Sequence, residues 1–155
     1  MKIKTATIKE AIAISKLIAS STRYNPNQYS AAQQRVWINY NSPEKIIKFL
    51  LNRTIFCAIH NENLVGTIAL KHNEILGFYV NPQFRNRGIG SALLAHLEAE
   101  AIKRGIGRLH LSSTPSAEIF YQKKGFLPIK EIVVTIDGVD FPEMEMEKFL
   151  DPKSI

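Results

Sequence analysis

The sequence predicts a mixed α/β fold in the order β-α-α-β-β-β-α-β-α-β-β, as one domain over residues 1–155. Three observations predict it. Apolar residues recur at helical spacing behind N-terminal capping signals. Short β-prone runs meet at tight turns. One strand-loop-helix segment, Glu74 to Glu100, joins the two textures near the middle of the chain.

Lys2 to Ala6 reads as a short first strand. Thr7-Ile8-Lys9-Glu10 fits a capping box, and Ile8, Ala11, Ile14, Leu17 and Ile18 give the apolar side of a first helix ending near Ser21. Arg23 to Tyr29 is rich in turn residues around Pro26. Ser30-Ala31-Ala32-Gln33 is a second capping box, with Val36, Trp37 and Tyr40 behind it. Ser42-Pro43-Glu44 is another helix start, with proline at the first helical position and an acid in the first turn. Ile46, Ile47, Phe49, Leu50 and Leu51 supply its buried side, so the second helical region can be broken in two.

From Thr54 the pattern changes. Thr54–His60 and Leu64–Leu70 form a hairpin about Asn61-Glu62-Asn63, and a turn at His72-Asn73 leads into a third antiparallel strand. Pro82 ends that strand, because it lacks a backbone donor and biases Asn81 away from helical geometry. A helix begins at about Ser91, keeps Leu93, Leu94, Leu97 and Ala101 on one side, and stops at Gly105. Arg108 to Ser113 is a strand. Thr114-Pro115 opens another helix, which Gly125 closes. Ile132–Ile136, a turn at Asp137-Gly138 and a strand around Met144 to Phe149 complete the chain.

Size and composition narrow the function classes. With 155 residues, 45% hydrophobic and 22% charged, the chain can bury one substantial core. No apolar run approaches membrane-spanning length, and MKIKTATIKEA lacks the long apolar core of a signal peptide. A cytoplasmic protein without membrane contact is expected. Cys57 is the single cysteine, so no internal disulfide forms, and His60, His72, His96 and His110 have no metal-ligand spacing. The net charge of +6 leaves nucleic-acid binding open without arguing for it, since the basic residues are scattered and carry no recognisable motif. No nucleic-acid partner and no metal are expected.

The loop Arg85-Asn86-Arg87-Gly88-Ile89-Gly90-Ser91 is specific about its ligand. A helix start leaves its first N–H groups without acceptors and carries partial positive charge. Gly88 and Gly90 let a ligand approach the backbone, and two arginines stand beside them. The combination suits a phosphate or pyrophosphate.

Arg85-Asn86-Arg87-Gly88-Ile89-Gly90 resembles the R/Q-x-x-G-x-G/A signature of the GNAT superfamily of N-acetyltransferases, and Gly77–Pro82 is similar to the strand that leads into it. Downstream, Ala117-Glu118-Ile119-Phe120-Tyr121-Gln122-Lys123-Lys124-Gly125-Phe126 resembles the family's A-x-x-x-Y-x-x-x-G-F element. Thr114 departs from the pattern, since many members carry Asn there. The resemblance implies a mainly antiparallel central sheet flanked by helices, and direct transfer of an acetyl group from acetyl-CoA to a primary amine in a ternary complex. It implies a pantetheine arm paired with the backbone of Phe78, Tyr79 and Val80, and a pyrophosphate over Arg85–Ser91. It further implies Glu74 as general base, directly or through water, a backbone N–H near Tyr79 or Val80 as oxyanion donor, and Tyr121 as general acid. Thr114 and Tyr121 complete the expected cofactor contacts. Strand alternation would place Glu74, Leu76, Phe78 and Val80 on one face. A small-molecule or peptide amine is the expected acceptor, and a homodimer is consistent with the family.

Other residues admit two readings. Cys57 alternates with Ile55 and Ile59, as a core residue would, rather than acting as an acyl carrier. His72 is close enough to Glu74 to assist it, or is simply a solvated turn residue. Trp37, Tyr24 and Tyr29 line an acceptor pocket or merely pack. Glu143, Glu145 and Glu147 alternate, which favours the solvent face of a strand over attraction of a cationic amine. A non-catalytic acyl-CoA-binding module on the same fold is the alternative to an enzyme.

Overall fold

Reciprocal caps start the first helices. A computed structural model describes residues 1–24 and 28–152, so Pro26 of the expected turn lies outside the described residues. After strand β1 (Lys2–Thr5), the Thr7 hydroxyl accepts from the Lys9 N–H and Glu10 accepts from the Thr7 N–H. A single 3-10 turn, Ile8–Glu10, runs into helix α1 (Ala11–Tyr24). Ser30 and Gln33 cap each other at the start of helix α2 (Ala31–Tyr40), and Ser42 caps helix α3 (Pro43–Phe49). Asn41 separates the two: its amide donates to the Trp37 carbonyl, while the Ser15 hydroxyl donates to the Asn41 carbonyl at 2.6 Å.

Strands β2 (Thr54–His60), β3 (Asn63–Lys71) and β4 (Glu74–Val80) follow as an antiparallel meander. Asn61 and Glu62 both adopt positive φ, 48° and 65°, as a two-residue hairpin loop requires. Helix α4 (Ile89–Lys103) crosses to strand β5 (Arg108–Ser113). Its end is closed by Gly105 at φ 77°, with Ile106 N–H donating to the Ala101 carbonyl and Gly105 N–H to the Ile102 carbonyl. Helix α5 (Glu118–Lys123) ends in the same way at Gly125 and Phe126. A long hairpin of β6 (Leu127–Ile136) and β7 (Val139–Phe149) completes one seven-stranded sheet in the order β1-β2-β3-β4-β5-β7-β6. It is antiparallel throughout except between β4 and β5.

That parallel pair meets only at its start. Glu74 is in register with His110, and the Asn73 carbonyl accepts from the His110 N–H at 3.1 Å. Beyond this point β4 and β5 diverge, since β5 is paired along its whole length with β7. The gap they leave is the structural centre of the molecule.

Alternation along the strands divides the core into two layers. Phe56, Ile68, Leu70 and Ile75 pack against Leu93, Leu94 and Leu97 of α4 on one face. Ile55, Cys57 and Ala69 pack against Ile14 and Ile18 of α1 and Ile46 of α3 on the other. Three residues expected in these layers lie outside them. Ile8 is 64% exposed because it sits in the 3-10 turn, out of phase with α1. Ile47 (38%) lies on the outer side of α3, and Leu51 (87%) falls in the turn after it. Helix α4 starts two residues earlier than expected, at Ile89, α1 runs on to Tyr24, and the last strand already begins at Val139. Among the described residues no helix is long and apolar enough to cross a membrane.

Gly66 sets how closely α4 approaches the sheet. A Cβ there would stand 2.8 Å from Leu93 Cδ1 and 3.1 Å from Ile89 Cγ2, and both side chains are already packed in the core. Gly66→Ala is therefore expected to destabilise by about 1–3 kcal/mol, the usual range for an overpacked core. Chemical denaturation with a fixed m-value measures it. An unchanged midpoint would contradict the close approach.

Candidate functional site

A cavity of about 790 Å³ occupies the gap between β4 and β5 and reaches both faces of the sheet. Its shape follows from one irregularity. Thr67 is in register with Tyr79, but Ala69 is in register with Leu76, so Ile68 faces both Gly77 and Phe78. Gly77 adopts φ +53° to absorb the extra residue, a conformation that suits glycine.

The bulge reverses the alternation. Glu74 and Leu76 lie on the α1–α3 face, where Tyr79 joins them, whereas Phe78 and Val80 turn to the α4–α5 face. The expectation that Glu74, Leu76, Phe78 and Val80 share one face is thus corrected: two residues opposite one shift the phase by a residue. Phe78 packs 5.8 Å from the Phe120 ring and 6.1 Å from the Tyr121 ring. The Tyr79 hydroxyl accepts from Trp37 Nε1 at 2.6 Å. Between them, the edge of β4 toward β5 has no registered strand partner after Glu74.

The loop after β4 presents backbone donors. Gly88, at φ 78°, is the N-cap of α4 and supplies no side-chain cap. The first internal bond of the helix runs from the Ala92 N–H to the Gly88 carbonyl, so the N–H groups of Ile89, Gly90 and Ser91 have no intrahelical acceptor. Arg85, Asn86, Arg87 and Gly88 are exposed, and Asn86 also has positive φ, 62°. Arg85 lies over the Tyr24 ring and Arg87 over the Phe84 ring. Arg85 and Gly90 border the cavity, while the Ile89 side chain is buried under Gly66, so Ile89 can offer a ligand only its backbone. Thr114 also lines the cavity; its hydroxyl lies 3.4 Å from that of Ser116 and caps no helix. These features fit a phosphate-bearing carrier: open amides, flanking guanidinium groups and a free strand edge leading inward.

Tyr121 is 9% exposed and packs against Phe120 and Phe126. Its hydroxyl makes no hydrogen bond to any described residue and borders the cavity. Burial first, and then the charge of Glu143, push its pKa above the ordinary tyrosine value. On the other face Tyr29, Trp37 and Phe141 form an aromatic wall, with Trp37 5.7 Å and Tyr29 6.2 Å from Phe141. Burial, then Glu143, raise Tyr29 to about 12. Trp37 and Tyr29 therefore line the expected acceptor side, but Tyr24 stands beneath Arg85 at the loop instead. His72 faces a separate shallow recess with Leu51 and Asn73, away from the cavity that Glu74 lines.

Glu143 is the residue that sequence reasoning misplaced. Glu145 pairs with Lys130 and Glu147 with Arg108, near solvent as expected. Glu143 lines the cavity, and burial, then the charge of Glu74, raise its pKa to about 7. A signal was available. Phe141 precedes it by two residues on the same face of β7, and a buried aromatic there means that this end of the strand is covered.

A family profile described as an acetyltransferase (GNAT) domain matches residues 25–148. The chain belongs to the GNAT acetyltransferase family. It is accordingly an acetyl-CoA-dependent acyltransferase, with acetyl-CoA as co-substrate. The uncharacterized N-acetyltransferase YafP of Escherichia coli is 27% identical over 83% of this chain and 79% of its own. A GCN5-related N-acetyltransferase from Rhodopseudomonas palustris superposes with a TM-score of 0.90, at 24% identity over 96% of this chain and 95% of that one. The PaiA N-acetyltransferase of Thermoplasma acidophilum, solved in complex with coenzyme A, superposes with a TM-score of 0.78, at 26% identity over 97% of this chain and all of that one, 100%. The mixed sheet with flanking helices is thus the GNAT fold. Among the described residues no cluster of His, Cys, Asp and Glu could hold a metal ion.

Cys57 belongs to the core of this GNAT fold, fully buried between β1 and β3, and burial is the first cause that raises its thiol to about 12. Ellman's reagent at pH 8 is expected to find no reactive thiol in the native protein and one after denaturation. Rapid native labelling would restore Cys57 as a candidate nucleophile.

Proposed function

We propose that this GNAT protein transfers an acetyl group from acetyl-CoA to a primary amine by direct attack, with Glu74 in proton removal and Tyr121, expected as general acid, donating a hydrogen bond to the departing sulfur. The observation that carries this reading is the unpartnered Tyr121 hydroxyl at the gap between β4 and β5. When bound, acetyl-CoA supplies an activated acyl group on a leaving thiolate.

The chain's own groups divide the remaining work. The N–H groups of Ile89, Gly90 and Ser91, with Arg85 and Arg87 beside them, would hold the pyrophosphate. The open edge of β4 at Phe78–Val80 would pair with the amide arm, as an added strand pairs with a sheet edge. A backbone N–H near Tyr79 or Val80 would donate to the carbonyl oxygen as negative charge develops there. Thr114, which lines the cavity, would contact the carrier with its hydroxyl.

The acceptor amine would enter from the face of Trp37 and Tyr29, where Glu74 also lies. An ammonium cannot attack a carbonyl until it loses a proton, and a carboxylate on that face can take it directly or through an intermediate group. Tyr121 serves the opposite face. A phenol with a raised pKa stays protonated at every pH where the enzyme would work. Its weaker acidity makes complete proton transfer to a thiolate, whose conjugate acid is near 8.5, more uphill than for an ordinary tyrosine. Its service is therefore a hydrogen bond to sulfur as the C–S bond breaks, with the final proton drawn from solvent.

Steady-state thiol release with an amine panel tests the activity, and Tyr121→Phe tests the role. The substitution is expected to lower kcat by about 10²–10⁴-fold, the range for a lost acid or base, with CoA affinity unchanged within about twofold. Wild-type turnover in the variant would remove Tyr121 from the chemistry. Tight CoA binding with no thiol release from any amine would favour a non-catalytic acyl-CoA-binding module.

A further inference from the structure

Two carboxylates face the acceptor side of the cavity, and they stand in different surroundings. Glu74 opens β4 opposite Lys71, and the charge of Arg53 reaches it; Arg53 is itself held against the Phe49 ring at 4.1 Å. Glu143 has no such neighbour. Among the described residues it makes no ion pair and no hydrogen bond. The basic residues on and beside its hairpin are committed elsewhere, Lys130 to Glu145 at 3.9 Å, Lys148 to Glu98 at 2.6 Å and, on β5, Arg108 to Glu147 at 2.7 Å. The groups that face it are Tyr29 before α2, Tyr79 and Glu74 on β4, and Tyr121 on α5. Its cross-strand partner on β6 is the apolar Ile132.

Glu143 is half-buried at the cavity wall, and a carboxylate drawn partly out of water without a cation is costly to the fold unless something on the molecule's working path uses it. Glu143 also acts on Tyr121, the proposed donor at the reacting sulfur, whereas Glu74 contributes no resolved effect there. Glu143, Glu74 and Tyr121 all line the one cavity, so both carboxylates open onto the space that the Tyr121 hydroxyl borders. The Tyr121 hydroxyl, without a hydrogen-bond partner among the described residues and on the cavity wall, marks the same space independently.

We infer that Glu143 is the first acceptor of the ammonium proton and that Glu74 receives it from Glu143 and releases it to solvent, so that the two form a carboxylate relay. This rests on the acetyl-transfer reading above and supplies the intermediate group through which Glu74 acts. The proton balance is complete. The ammonium nitrogen gives one proton to the Glu143 carboxylate, and the neutral amine then forms the C–N bond as the C–S bond breaks. The nitrogen loses a second proton on forming the amide, and the thiolate gains one. The net reaction takes an ammonium and a thioester to an amide, a thiol and one proton in water.

The relay needs coupling between its members, and the coupling has a sign. Burial first, then the negative charge of Glu74, hold Glu143 protonated up to about pH 7, so the basic form is present above that pH and lost below it. Removing the Glu74 charge must lower that midpoint.

The test measures kcat/KM against pH for wild type, Glu143→Gln and Glu74→Gln, with butylamine, 1,4-diaminobutane, spermidine, an aminoglycoside and an alanine-terminated peptide as acceptors. In parallel, side-chain carboxyls of the ligand-free proteins are titrated by carbon-13 NMR. Wild type is expected to rise through an ascending limb near pH 7. Glu74→Gln should move that limb to lower pH and slow turnover, because the exit is lost. Glu143→Gln should remove the limb and lower kcat by about 10²–10⁴-fold. The NMR titration should show one carboxyl near pH 7 in wild type, lower in Glu74→Gln and missing in Glu143→Gln. A wild-type limb retained in Glu143→Gln, or an unmoved carboxyl midpoint in Glu74→Gln, overturns the relay while leaving acetyl transfer intact. Wild type that acetylates none of the acceptors overturns the acetyl-transfer reading, and the relay falls with it.

Discussion

At Gly77 one residue of β3 faces two of β4, and most of what the molecule can do depends on that mismatch. The extra residue changes which side chains face which layer, and it bends β4 away from β5 so that their pairing ends after a single register position. Without it, β4 would be an ordinary interior strand with both edges satisfied. With it, a row of backbone donors and acceptors stands open in the middle of the sheet, next to a helix start with no side-chain cap. Unsatisfied backbone groups near a core are costly unless something pairs with them. A carrier that brings phosphates to the helix start and amide groups to the strand edge satisfies both sets at once.

The same phase shift sorts the chemistry onto two faces. Phe78 and Val80 turn toward α4 and α5, where Tyr121 waits with an unpaired hydroxyl. Tyr79 turns the other way and its hydroxyl accepts from Trp37 on the α1–α3 face. Glu74, Glu143, Tyr29 and Phe141 complete that side. The two faces therefore communicate through the gap in the sheet rather than across a surface groove. This geometry also explains why tyrosines and a carboxyl in this cavity all have raised pKa values: each lost solvent before it gained a partner.

Much of this was legible in the sequence, and the reasons differ from element to element. Thr7/Glu10, Ser30/Gln33 and Ser42-Pro43 announced helix starts because caps are local chemistry, settled within four residues. Gly105 and Gly125 announced helix ends for the same reason. The uncapped helix start at Gly88 was legible because a glycine there supplies positive φ and no capping side chain. The bulge was not: a lone Gly77 within a β-prone run has the same appearance whether the strand is straight or kinked, so strict alternation misassigned Phe78 and Val80. Glu143 was misread for a related reason. Alternation identified the face it shares with Glu145 and Glu147, but whether α2 and the Tyr29 segment cover one end of that face is a long-range fact. Phe141 was the one local hint of it.

Amide hydrogen exchange, with and without coenzyme A, tests most directly whether the bulged strand and the uncapped helix start form one carrier site. Saturating coenzyme A is expected to slow exchange together at Phe78–Val80 and at Ile89–Ser91, while the outer hairpin of β6 and β7 stays unchanged. Binding that leaves the β4 amides exchanging as in the free protein would contradict the account, because the open strand edge would then have some other use.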